Sequence, residues 1–324
     1  MRRWFIRAAV SAIVIAFLLW LIPFGSVWQA LARVSPWVWL ASVGVFFGGH
    51  YLNALKLRLL LGSDTGRDFG PGGPQGPADV GTHLTSACVR AQYAGLVANL
   101  GLPGLAGGDV VRAVYLAPAV GIARVTVASV ADRLIDTVTV IALVAIALPF
   151  AGVPAGIAGI VGNAGLWVAV GLPFAVVLGL IARRLIARPA VAAKLSRLRA
   201  AFSAHRAAVA GAVAISFGVQ SAFVMTNVWL ARQVGVTTDL SAWFVAWPLS
   251  KLIAVLPISL GGIGVREAAL VSLLAPYGAP RGAVLASGIL WQAVLIVTGV
   301  VGLIVTQLLP RTLPSSAAPS AGKV

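Results

Sequence analysis

Long, nearly uninterrupted apolar blocks are the feature that most limits what this chain can fold into. They run over 4–22, 37–61, 122–150, 156–182, 207–230 and 282–309. A bilayer core about 30 Å thick needs roughly 20 apolar residues in a helix, and these blocks have that length. Unpaired backbone groups are too costly in lipid for open sheets, and no alternating strand pattern suggests a closed barrel. The chain is therefore expected to be an all-α polytopic membrane protein with six full spans. Only 10% of its residues are charged, against about 25% in soluble domains.

The net charge of +16 does not point to nucleic acid. The basic residues flank the apolar blocks, where they orient a membrane protein and attract anionic headgroups, and no soluble basic-aromatic face exists to hold a polynucleotide. Cys88 is the only cysteine, so an intramolecular disulfide is excluded. A metal site built on His83 and Cys88 would lack ligands. No metal and no cofactor are expected.

Between the spans, 62–81 holds seven Gly and three Pro and reads as a flexible loop. The 183–206 segment has seven Lys/Arg and no acid, as expected of a basic helix on the cytoplasmic surface. Residues 310–324, rich in Pro, Ser and Ala, read as a disordered tail, leaving 1–309 as one transmembrane domain. A small-residue site at Ala30-Leu31-Ala32 offers a signal-peptide reading of the first block. Trp20, Pro23, Phe24 and Trp28 fit a signal's polar end poorly, which favours a retained helix. With both termini cytoplasmic, loops and span ends place fifteen basic residues inside and three outside, the bias expected of a bacterial-type inner membrane protein. Lys56 and Arg58 enter that count as the stop of the second span.

Two further apolar segments, 82–119 and 243–275, are broken in the middle, and the breaks share a motif. The first reads Leu102-Pro103-x-x-x-Gly107-Gly108-x-x-x-Arg112, the second Leu256-Pro257-x-x-x-Gly261-Gly262-x-x-x-Arg266, at a constant offset of 154 (257 − 103). The basic-residue bias holds only if each segment enters and leaves on one side, which makes them two hairpins related as an inverted repeat. Pro103 and Pro257 end the incoming half-helices by removing a backbone donor. The Gly pairs allow a sharp turn and close backbone approach. Each outgoing half-helix then presents free N–H groups and a positive dipole end, which favour an anion. Arg112 and Arg266 add a fixed charge suited to phosphate. Interrupted helices at matching places in opposed halves mark a transporter site. The plainer reading is two kinked hairpins whose arginines snorkel to headgroups.

Asp132, Arg133 and Asp136 are costly in an apolar span and functional by default. Asp132 and Asp136 share a face at i, i+4, and Arg133 reaches Asp136 at i, i+3. Whether they lie at membrane depth or at the cytoplasmic interface stays open. Asp109 opens the outgoing half of the first hairpin. Glu267, the only Glu in the chain, is either a partner of Arg266 or a proton-coupling carboxylate. Lys251 and Arg90 read as single basic residues with room to snorkel. No nucleophile elbow, paired catalytic carboxylates or dinucleotide loop is present, so an enzyme is not expected.

In Asn99-Leu100-Gly101-Leu102-Pro103-Gly104 with Gly107-Gly108-Asp109-Val110-Val111-Arg112, in Asp132-Arg133-Leu134, and in Pro257 to Glu267, the chain resembles the lysylphosphatidylglycerol synthase transmembrane-region family. The similarity extends from Trp4 to about Leu309. It implies a flippase-like domain that moves a lipid with a modified or phosphorylated headgroup between leaflets, aminoacylated phosphatidylglycerol in the best-known members. The cytosolic aminoacyl-transferring domain of those members has no counterpart here, so synthesis is not expected. An anionic lipid is the expected ligand, held by Arg112, Arg266 and the Gly pairs, with Asp109, Asp132, Arg133, Asp136 and Glu267 gating or coupling. The rival readings are an accessory partner of an envelope-lipid biosynthetic enzyme or glycosyltransferase, and an ion-coupled carrier of a small soluble anion.

Overall fold

The computed structural model describes residues 28–29, 32–62, 77–101, 106–152, 206–254 and 264–309. The expected spans at 4–22 and 156–182, most of the 62–81 loop, the basic segment up to residue 205, Pro103, Pro257, Gly261, Gly262 and the tail 310–324 lie outside the described residues.

All regular structure described is helical: α1 (Pro36–Leu61), α2 (Pro77–Gly101), α3 (Ala106–Val120), α4 (Ile122–Ala147), α5 (Arg206–Gln233), α6 (Leu240–Ala254), α7 (Val265–Leu274) and α8 (Arg281–Leu308). Four are long and apolar enough to cross a membrane: α1, α4 with its 3-10 extension to Phe150, α5 and α8. Local chemistry sets their ends. Pro36 opens α1 from the extended Ser35, where its missing N–H costs nothing, and Gly62 ends it at φ 79°, a backbone that suits glycine. Large apolar side chains face outward, with Val138 64% and Leu308 78% exposed, as lipid contact permits and water does not.

Two boundaries depart from the sequence expectation. Helix α2 starts at Pro77, five residues before Thr82 and inside the stretch read as a flexible loop, because proline is preorganised for the first helical position. Gly107 and Gly108 are not a turn. They lie in the first turn of α3, and neither has positive φ. What needs glycine at 108 is closeness: a Cβ there would stand 2.6 Å from the Gly95 carbonyl oxygen of α2, and one at Gly95 would stand 2.8 Å from the Gly108 carbonyl oxygen. Small residues that let helix backbones approach are the usual packing device in lipid.

The packing repeats. Helices α1 and α5 lie against each other, and every other substantial helix pair survives the exchange of α1–α4 for α5–α8. Thus α2·α3 answers to α6·α7, α3·α4 to α7·α8, and α1·α2 to α5·α6, while α2·α8 answers to α6·α4, α1·α8 to α5·α4, and α1·α4 to α5·α8. The set of helices that pack alike is larger than the hairpin motif: four successive helices, α1–α4 and α5–α8.

Candidate functional site

Six charged residues of the first half gather into one network. Lys56 of α1 is fully buried, with its ammonium 2.6 Å from Asp136 Oδ1 and 2.9 Å from Asp132 Oδ1. The bond to Asp136 has hydrogen-bond geometry; the approach to Asp132 is an ion pair without it. Ser216 of α5 donates to the same Asp136 oxygen at 2.6 Å. Arg112 Nη1 lies 3.4 Å from Asp132 Oδ2 and 3.3 Å from Asp109 Oδ1. Arg133 grips Asp109 with two bonds of 2.8 and 2.9 Å. Three cations and three carboxylates, on α1, α3 and α4, thus neutralise one another.

This arrangement corrects two expectations. Lys56 does not stop a span at the surface; it is buried, and α1 runs on to Leu61. Arg133 does not pair with Asp136 but with Asp109. Successive helix residues are about 100° apart, so Asp132 and Asp136 turn together toward α1 while Arg133 turns toward α3.

The second half is sparser. Arg266 bonds the Glu267 carboxylate at 2.5 and 3.1 Å and Gln292 of α8 at 3.3 Å. The other Glu267 oxygen accepts the Gly264 N–H at 2.7 Å, capping α7. In α3 the Gly108 N–H is taken by the Asn99 side chain at 2.8 Å. One N–H at each of these helix starts is therefore taken by a polar side chain of the chain itself, and both motif arginines already hold a carboxylate.

Between the halves lies a polar centre with an aromatic wall. His50 Nδ1 accepts from Gln92 Nε2 at 2.9 Å, and Lys251 donates to Gln220 of α5 at 3.0 Å. Phe223 of α5 packs against both Phe46 and His50 of α1, with ring centroids 4.7 and 5.8 Å apart, so the two halves meet at this centre. Phe46 stands edge-on to His50 at 4.5 Å and to Trp291 at 4.9 Å, and Trp247 packs edge-on to Trp291 at 5.9 Å.

Sequence reasoning passed over Lys56, His50, Ser216, Gln220, Asn99 and Gln292 as site residues. The i, i+4 spacing of Ser216 and Gln220 on one face of an apolar span was the signal that could have found two of them. Among the described residues, no three His, Cys, Asp or Glu side chains come together to hold a metal.

Long apolar helices, outward apolar faces and a buried charge network define a multi-pass membrane protein. The profile of the family described as the lysylphosphatidylglycerol synthase TM region matches residues 4–302, and the chain belongs to that family. No curated protein and no solved structure matches.

Proposed function

We propose that this protein is a lipid translocase that carries a phosphate-bearing anionic lipid between leaflets through the polar centre between its two halves. The observation that carries this reading is the convergence of ionisable groups from both halves deep within apolar helices. Asp136 stands fourteen residues into α4, about 21 Å along its axis. Charges at that depth serve a substrate path or a relay more often than they serve stability. The family's membrane-lipid association and the repeated packing agree with it. In this reading the two halves are inverted in the membrane and rock about the centre, and the tails stay in lipid.

The protein sits in a bacterial-type cytoplasmic membrane with both termini inside. A cysteine at Thr238 in a Cys88→Ser background is then labelled by an impermeant thiol reagent in intact cells, and one at Ser196 is not. The reverse pattern contradicts the orientation.

One observation favours an accessory role instead: Arg112 and Arg266 are already neutralised, as structural arginines would be. Reconstitution in liposomes separates the readings. Movement of labelled phosphatidylglycerol across the bilayer is the expected result. Uptake of a soluble anion in its place supports a carrier, and movement of neither supports the accessory protein, with no chemistry of its own in any of the three.

A further inference from the structure

We infer that Lys251, with His50 across the ring contacts of Trp247, Trp291 and Phe46, is the headgroup ligand of the central site, and that the group it takes is a singly charged phosphodiester. The inference rests on the translocase reading and moves the ligand role away from the two motif arginines.

Charge balance is the first support. The six groups of the first-half network cancel, and Arg266 cancels against Glu267. Lys251 remains, with a neutral amide as its hydrogen-bond partner and no ion pair to a carboxylate among the described residues. A lone ammonium at membrane depth is costly unless an anion joins it. The single charge of that ammonium matches the single charge of a phosphodiester.

Direction is the second. A snorkelling lysine sends its ammonium to the bilayer surface. The Lys251 ammonium instead bonds Gln220, near the middle of α5, and lies 5.6 Å from the Trp247 ring. Its side chain is only partly covered.

The third support is an unused donor. Since Gln92 Nε2 donates to His50 Nδ1, the neutral imidazole carries its proton on Nε2. That Nε2 is buried and finds no partner among the described residues. Buried polar atoms without partners are rare and call for an explanation; a headgroup phosphate oxygen supplies one. Phe46, Trp247 and Trp291 give the headgroup a wall without a competing anion.

Binding to the full-length detergent-solubilised protein tests this, read through tryptophan fluorescence, since Trp247 and Trp291 border the site. Three probes are titrated: dihexanoyl phosphatidylglycerol, inorganic phosphate and an uncharged dihexanoyl glyceride. Wild type binds the phospholipid and neither of the others. Lys251→Gln weakens that binding by about tenfold or more, the loss expected for a charged hydrogen bond, while Lys251→Arg stays within about threefold because the charge is kept. His50→Phe, which keeps the ring and removes the donor, weakens it by about threefold or more, and covers the case in which Lys251→Gln fails to fold. Unchanged binding in Lys251→Gln and His50→Phe overturns the assignment and leaves the translocase reading standing. Equal binding of inorganic phosphate places the specificity in a soluble anion, and absence of phospholipid binding by wild type removes the translocase reading together with this one.

Discussion

The two halves share one packing plan and differ in how they treat charge. In α1–α4 six ionised groups are distributed over three helices, so each helix depends on the others for its counter-ions. In α5–α8 the only ion pair described joins neighbours in sequence, Arg266 and Glu267, and Lys251 is left for something else. The repeat therefore supplies a frame and not two equal sites. The first half is locked electrostatically, and the second carries the spare charge. Arginines at matching places, Arg112 and Arg266, do different work: one ties α3 to α4, the other holds the Glu267 carboxylate that caps its own helix and reaches Gln292 of α8.

The largest expected effect is at Lys56. Lys56→Met leaves Asp132 and Asp136 facing each other without their buried cation, a class of change that costs about 3–5 kcal/mol. Thermal unfolding in detergent should show a large drop. A variant as stable as wild type would break the comparison, since the first half would then not be locked by charge.

The two motif arginines should differ by less, and in order. Arg112→Ala removes a tie between helices and should cost about 2–3 kcal/mol, with Asp109 and Asp132 keeping Arg133 and Lys56. Arg266→Ala should cost about 1–2 kcal/mol, because Glu267 retains the Gly264 N–H. The exposed Arg232 serves as control. Equal losses for Arg112→Ala and Arg232→Ala would contradict the assignment.

A further effect concerns the hairpin contact. Gly108→Ala forces apart α2 and α3, at a cost of about 1–3 kcal/mol for overpacking. Gly44→Ala, where a Cβ meets nothing within 4 Å, should be neutral in the same unfolding measurement.

Much of this was legible in the sequence. Helix after helix falls where the apolar blocks lie, because lipid leaves the backbone few choices. The matching Pro, Gly-Gly and Arg spacings suggested a hairpin repeat; the like packing of α1–α4 and α5–α8 is a separate observation, made on whole helices. Side-chain partners were not legible. Lys56 and Asp136 are 80 positions apart, so nothing local distinguishes a buried lysine near a helix end from one that anchors the end at the surface. Gly107 and Gly108 looked like turn residues because glycine serves both turns and close contacts, and only the position of Gly95 decides between them. Arg133 had an acid three residues away on its own helix, and the tertiary partner Asp109 won because two well-aligned bonds on a facing helix exceed one strained local contact.

The central claim is that a lipid headgroup enters the middle of the protein. Phosphatidylglycerol with a photoreactive headgroup, activated in liposomes holding the full-length protein and mapped by mass spectrometry, tests it most directly. The account predicts adducts around His50, Gln220 and Lys251 that unlabelled phosphatidylglycerol competes away. Adducts confined to helix ends and outward residues such as Val138 and Ile304 would contradict it.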